Sequence, residues 1–415
     1  MNFKSLLLGN HSSKQILAKN TFWLGMIEGF SKIIMFVVTV SVVRYLGPIG
    51  FGAYNFAFSV SSILMIFGDL GVTTILTRDI AKSKEKASEY LANVAGIKMI
   101  CFGIVMLLAW LSFPFLGGNK VYFWLIILAT AYNIAQQFMS LMMAVMIAYE
   151  KMEYVFLARV SYYLGILATA LIATKFNFKV EVLVAGYLSI SLVAAALAVW
   201  LCGKLNVVIG LKYNKKVWKE VLAEATPMFG FLACSQIYAS VDSILISKFF
   251  GNEKLGYYQS AYKILYAFQS INIINTATFP RISNLIHQKN QEALAKLTKW
   301  MVIGSLIVFI PLALVISVFS AKIVTVIYGT KYLLAAPILT ALIWTGVINY
   351  FRVMITNFLV AKKQQRIIFY AMLIGMMVNI GLNLIFMPKV GFEFAAKSLL
   401  ISETVILILA LMMRK

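Results

Sequence analysis

Residues 44–54 read Arg-Tyr-Leu-Gly-Pro-Ile-Gly-Phe-Gly-Ala-Tyr, and residues 248–258 read Lys-Phe-Phe-Gly-Asn-Glu-Lys-Leu-Gly-Tyr-Tyr. At a constant offset of 204, Gly47 matches Gly251, Gly52 matches Gly256, Tyr54 matches Tyr258 and Ala57 matches Ala261. Each stretch follows the first long apolar run of its half, where glycine suits a tight turn that sends the chain back into an apolar layer. The polar positions that follow keep the same offset, Asn55, Ser59 and Ser62 against Gln259, Lys263 and Tyr266. Basic loops beginning at Arg78 and Arg281 correspond as well. Such self-similarity marks a chain built as two like halves.

Outward from this repeat the chain resolves into long apolar runs. Of its 415 residues 61% are hydrophobic and 13% charged, with a mean hydropathy of +0.87. A soluble domain carries about 25% charge, so the apolar surface here must be covered by lipid. Runs long enough to span a bilayer, which takes roughly 20 residues, lie at 21–43, 50–77, 90–113, 121–148, 154–174, 181–202, 225–247, 256–279, 300–319, 333–360, 367–387 and 392–413. The period-2 alternation of an outer-membrane barrel is absent. The expected fold is an all-α integral membrane protein of about twelve transmembrane helices in two six-helix lobes with a central cavity. Six spans per half bring both halves in from the same side, as parallel repeats about an axis along the membrane normal. The expected divisions are an amphipathic cytoplasmic tail over 1–20, a lobe over 21–202, a basic cytoplasmic linker over 203–224 and a second lobe over 225–415. No small-residue cleavage site follows the first span, so a removed signal peptide is not expected.

The net charge of +22 raises the question of nucleic acid, and its distribution argues against that partner. The two tails and five alternate loops hold 23 Lys and Arg, and the six other loops hold 9. This is the positive-inside pattern, which sets both termini in the cytoplasm of an inner-membrane protein. Cys101, Cys202 and Cys234 show no pairing or metal-ligand spacing, and His11 and His287 lack a nucleophile nearby. No Walker motif is present, and no loop is large enough for a polymerase or ligase. Catalysis, metal and cofactor are not expected; transport is.

Charge inside a membrane is costly and therefore a functional candidate. Residues three or four apart share a helix face. One face of span 8 carries Gln259, Lys263, Tyr266 and Ser270, one of span 10 carries Thr345, Asn349, Arg352 and Thr356, and one of span 4 carries Asn133, Gln136, Gln137 and Ser140. Span 7 carries Gln236, Ser240 and Ser243 with Asp242 to the side, and span 1 carries Glu28 and Lys32. Among nine deep charges, Lys32, Lys98, Lys263, Arg352 and Lys397 are basic, and Glu28, Asp69, Asp242 and Glu403 are acidic. Excess positive charge attracts anions, and the guanidinium fork suits phosphate. The expected substrate-binding set is Arg352, Lys263, Lys32, Lys98, Asn55, Gln259 and Asn349, with Glu28, Asp242 and Asp69 as coupling or structural charges. Spans 1, 2, 7 and 8 are expected to line the space between halves. Blander readings stand beside these: Asn379 and Asn383 as helix–helix packing, Glu28 and Lys32 as a satisfied pair, Asp69 as an anchor, Lys98 as a snorkelling cation. Lys263 and Arg352 resist them, having no carboxylate three or four residues away on their own helices.

The run 44–54, then Asp69-Leu-Gly71 and Thr77-Arg78-Asp79-Ile80-Ala81, resembles the N-terminal half of bacterial O-antigen and capsule flippases, members of the multidrug/oligosaccharidyl-lipid/polysaccharide exporter superfamily. Val241-Asp-Ser-Ile-Leu-Ile-Ser-Lys-Phe-Phe-Gly251 resembles the opening of their second half. The resemblance implies transfer of an undecaprenyl-pyrophosphate-linked oligosaccharide from the cytoplasmic to the periplasmic leaflet by alternating access, through a cationic cavity. Arg352 and Lys263 would hold the pyrophosphate. With no ATP site, the energy would come from an ion, H+ or Na+, or from consumption of the product outside. The rival readings are a lipid II flippase, a multidrug antiporter and a polysaccharide polymerase. On the topology just drawn, a cysteine placed at Lys215 is expected to react in intact cells only with a membrane-permeant maleimide; labelling by an impermeant reagent reverses the orientation.

Overall fold

The computed structural model describes residues 13–116, 119–270 and 273–413. Of the tail expected over 1–20, residues 1–12 lie outside the described residues. In lipid every backbone N–H and C=O must be satisfied within the segment that carries it, and the apolar runs form helices throughout. They are α1 (Ser13–Leu64), α2 (Ile66–Asp69), α3 (Val72–Lys82), α4 (Ala87–Leu111), α5 (Lys120–Ala148), α6 (Met152–Phe176), α7 (Val180–Gly203), α8 (Lys215–Gln269), α9 (Ile273–His287), α10 (Gln291–Val318), α11 (Ser320–Tyr328), α12 (Ala336–Ala361), α13 (Gln365–Val390) and α14 (Phe394–Met412). Polar residues cap where they can. The Asn119 side chain accepts from Val121 N at 3.0 Å to open α5, and the Asn290 side chain accepts from Ala293 N at 3.0 Å to open α10.

Ten helices among the described residues are long and apolar enough to cross a membrane. Two of them do more than cross once. α1 has 52 residues and α8 has 55, and an unbroken helix of 52 would run ~78 Å, far beyond a hydrocarbon core of ~30 Å. Each is broken at its repeat glycine. Gly47 has φ 62, ψ 177, and Gly251 has φ 81, ψ 173, a backbone that only glycine adopts without strain. Dividing both gives the twelve crossing segments read from the sequence. The second segment of each half is itself interrupted. The run 50–77 stops at Leu64 and again at Leu70 and Gly71, which take φ 49 and φ 82. In the other half α8 ends at Gln269 and α9 begins at Ile273. Apolar composition sees no such break, because it measures hydrophobicity and not backbone angle.

The chain forms two compact units, one of Met1–Tyr45 with Ala57–Ala233 and one of Leu46–Phe56 with Cys234–Lys415. In the first, the segment between α7 and α8 is strapped to the start of α4. Lys212 N donates to Ala92 O at 3.1 Å, Asn214 N donates to Asn93 Oδ1 at 2.9 Å, and Trp218 lies where a Cβ on Gly96 would come to 2.9 Å. Arg78 then bridges to Glu224 at 2.6 Å. At the opening of the same unit Lys19 is buried, 3.3 Å from Glu153.

In the second unit the two repeat turns clasp each other. A Cβ on Gly52 would lie 1.7 Å from Asn252 O, and one on Gly256 would lie 2.0 Å from Pro48 O. The matched glycines thus serve a reciprocal contact in which each turn presses on the backbone of the other. Such backbone-to-backbone contact leaves no room for a methyl group. Gly256→Ala is therefore expected to cost about 1–3 kcal/mol, as overpacking does, read as a lowered thermal unfolding midpoint in detergent. Gly25→Ala, whose added Cβ meets nothing within 4 Å, is expected to leave that midpoint unchanged. Equal midpoints for both variants would remove the clasp.

Candidate functional site

In the first unit the polar residues gather around one ion pair. Lys98 Nζ, on α4, lies 2.6 Å from Asp69 Oδ1 at the end of α2. The ammonium also donates to Gln137 Oε1 on α5 at 3.1 Å, and Thr73 donates its hydroxyl to the same Asp69 oxygen. Only 1% of the Lys98 side chain is exposed. It does not snorkel, because a carboxylate is at hand where it lies. Further along α5, Asn133 donates to Ser61 Oγ at 2.7 Å and Gln136 donates to Ser191 Oγ at 3.0 Å. Three of the four polar residues on this face, Asn133, Gln136 and Gln137, are spent on neighbours in the unit. Glu28 and Lys32 form an i,i+4 pair of 3.7 Å with both side chains about half exposed, so that pair faces away from the unit's interior.

The second unit holds two clusters. In one, Asp242 is buried and accepts from the Tyr258 hydroxyl at 2.9 Å and from Asn383 Nδ2 at 2.8 Å. Beside it Asn379, wholly buried, donates to Ser398 Oγ at 3.4 Å. The side-chain oxygens of Asn379 and Asn383 are buried without a hydrogen-bond partner. In the other cluster Arg352 Nε donates to Glu403 Oε2 at 2.6 Å, and Asn349 Nδ2 reaches the same oxygen at 3.5 Å. Gln259 is buried and donates to Ser243 Oγ at 2.6 Å. Asn55, in the 46–56 segment, turns its amide to Phe51 O at 2.7 Å.

Lys263 differs from all of these. It is half-buried on the re-entrant arm of α8, roughly 17 Å along the helix from the outer turn. It has no hydrogen bond or ion pair among the described residues. The face it shares is not uniformly enclosed, since Gln259 is buried while Tyr266 is 68% exposed. Sequence reasoning was right that Arg352 has no carboxylate on its own helix, and it missed the one on α14. It likewise placed Asp242 to the side, where α13 and the second arm of α8 make it a hub. Glu403 was visible only as a charge in the last span, and nothing in helix periodicity links it to a residue 51 positions away.

The profile of a family described as polysaccharide biosynthesis protein matches residues 17–286, and that of the MatE family matches 227–385. A protein of Escherichia coli (strain K12) that carries the name O-antigen transporter is 24% identical over 291 residues, 66% of this chain and 67% of that protein. The teichuronic acid biosynthesis protein TuaB of Bacillus subtilis (strain 168) is 30% identical over 140 residues, 33% of this chain and 28% of that one. Among solved structures, lipid II flippase MurJ in its inward closed conformation superposes with a TM-score of 0.78 at 18% identity, covering 94% of this chain and 86% of that chain. The fold is therefore shared with that transporter.

Removing one partner of a buried pair strands the other and costs about 3–5 kcal/mol, whereas removing both costs less. Arg352→Ala is accordingly expected to destabilise the protein more than the Arg352→Ala, Glu403→Ala double variant. Thermal unfolding of the four forms in detergent gives the cycle. Additive losses would show that the two side chains do not depend on each other.

Proposed function

This chain belongs to the polysaccharide biosynthesis protein family, and from that premise we propose that it flips an undecaprenyl-pyrophosphate-linked oligosaccharide from the cytoplasmic to the periplasmic leaflet for O-antigen or capsule assembly. It would act by alternating access in the bacterial inner membrane, with both termini cytoplasmic and no bond chemistry of its own. The observation that carries this reading is Lys263. Arg352, Lys98 and Lys32 each have a carboxylate within 3.7 Å. Lys397, three residues into α14 and exposed, sits at interfacial depth. Lys263 thus stands as an uncompensated cation at mid-depth. A pyrophosphate crossing low dielectric needs such a charge, and one cation of moderate strength can release what it binds. Arg352 would join it when a phosphate competes with Glu403. Asn349 and Gln259 would supply amide donors to the sugars.

The coupling ion, H+ or Na+, would bind at Asp242. Asn383 bonds the Asp242 carboxylate and Asn379 bonds Ser398, and both amides carry a buried oxygen without a hydrogen-bond partner. Oxygen donors are what hard cations take, and a buried carboxylate holds a proton equally well.

Lys263→Ala is expected to reduce surface polysaccharide roughly tenfold or more in a complemented deletion strain, in line with the loss of a charge-assisted phosphate contact, while the protein still accumulates in the membrane. Asp242→Asn is expected to abolish the dependence of flipping on the ion gradient in proteoliposomes. The MatE match over 227–385 favours drug export as the second reading. Full polysaccharide in the Lys263→Ala strain, together with protection of cells against organic cations, would replace the flippase reading with that one.

A further inference from the structure

One feature of the first unit takes no part in the clusters above. Where α3, α5 and α6 meet, a groove of about 460 Å³ opens, lined by Thr74, Thr77, Arg78, Ser140, Ile147 and Arg159 among others. Its depth follows from helix geometry. Arg159 lies seven residues into α6, ~10 Å along its axis, and Arg78 lies four residues from the end of α3, ~6 Å. The helix ends concerned belong to the side marked as cytoplasmic by the basic loops. A bilayer of ~40–45 Å has a hydrocarbon core of ~30 Å, so Arg78 falls near the headgroup level and Arg159 a few ångströms deeper, within the reach of a long side chain that extends toward the interface.

The two arginines are not equivalent. Arg78 Nη2 already holds Asp79 at 2.7 Å and Glu224 at 2.6 Å. Arg159 has no hydrogen bond or ion pair among the described residues, and the hydroxyls of Thr74 and Ser140 donate no hydrogen bond among them either. Three donors, one of them a full charge, therefore face a groove with nothing in the unit to bind. Ile147, Met143 and Ala144 give it an apolar wall. At its inner end Thr73 lines the groove and donates to Asp69, which pairs with Lys98 at 2.6 Å, and Lys98 in turn reaches Gln137, one turn above Ser140 on α5. The polar lining thus leads from the mouth at Arg78 inward to Thr73, the hydrogen-bond partner of a buried ion pair.

We propose that this groove is the loading seat of the cargo, in which the pyrophosphate of a polyprenyl-linked saccharide binds Arg159 from the cytoplasmic leaflet before translocation. Thr74 and Ser140 donate to its oxygens, Arg78 frames the mouth, and the polyprenyl chain lies along the apolar wall. The assignment rests on the flippase reading but concerns a site distinct from Lys263 and Arg352.

The test uses the full chain in nanodiscs of phosphatidylcholine, titrated with undecaprenyl pyrophosphate and read by native mass spectrometry. The same titration in the Lys263→Ala chain removes the mid-membrane cation and isolates the groove. Arg159→Gln is expected to weaken binding roughly tenfold or more in that background, the loss of one charge-assisted contact, and Arg159→Lys to fall between, since charge survives without the fork. Thr74→Trp fills the exposed mouth while both arginines are kept, and is expected to weaken binding as well; it carries the test if Arg159→Gln does not fold. Wild-type binding by both Arg159→Gln and Thr74→Trp would overturn the groove and leave the flippase reading standing. Equal displacement of the probe by phosphatidylglycerol would assign the groove to bulk anionic lipid and overturn the cargo assignment. Failure of the wild-type chain to bind the probe at all would count against the flippase reading and remove the loading seat with it.

Discussion

Inside a bilayer a fixed charge has no water to turn to, and the protein must answer it with another charge or leave it deliberately open. Nearly every deep charge here is answered. Arg352 meets Glu403, Lys98 meets Asp69 with Gln137, and Asp242 takes donors from Tyr258 and Asn383. Helices that share such pairs are held in register by them, because a slip of one turn would strand both partners. The same accounting makes the two exceptions informative. Lys263 on α8 and Arg159 beside the groove have no partner among the described residues, and on the proposed reading an anion would take them.

The backbone imposes the second constraint. Gly47 and Gly251 allow two long apolar helices to turn back, and Gly52 and Gly256 allow the resulting turns to approach each other to main-chain contact. One consequence is that the 46–56 segment, though it belongs to the first repeat by sequence, packs with the second unit. Asn55 is thereby placed in the unit that also holds Gln259, its counterpart by repeat. The Arg78–Glu224 bridge and the strap from Lys212 to Trp218 tie the start of α8 to the first unit in the same manner. Each unit is therefore laced by a piece of chain from across the repeat boundary.

Transport chemistry places different demands on the open and the closed charges. A compensated pair such as Arg352 with Glu403 can yield its cation to a phosphate only by leaving a buried carboxylate behind, which is costly. An open cation such as Lys263 attracts without needing to be freed first. On the proposed reading, an anionic headgroup would meet the open cation first and the paired one second.

The sequence by itself determined the long apolar runs, the residue matches at a constant offset, the concentration of Lys and Arg in alternate loops and the family. Each is written along the chain as hydrophobic length, a constant offset of 204 or a local motif, and none needs a partner in space. Helix periodicity also drew polar faces on spans 4, 8 and 10. It could not say which charges on those faces are satisfied, because Glu403 stands 51 residues from Arg352, and Asn383 stands 141 from Asp242. Only the packing of α12 against α14, and of α8 against α13, brings those atoms within 3 Å, and only that packing separates the paired cations from Lys263. The groove at Arg159 was unreadable for the same reason: its three walls come from helices whose order in the chain carries no record of which faces meet.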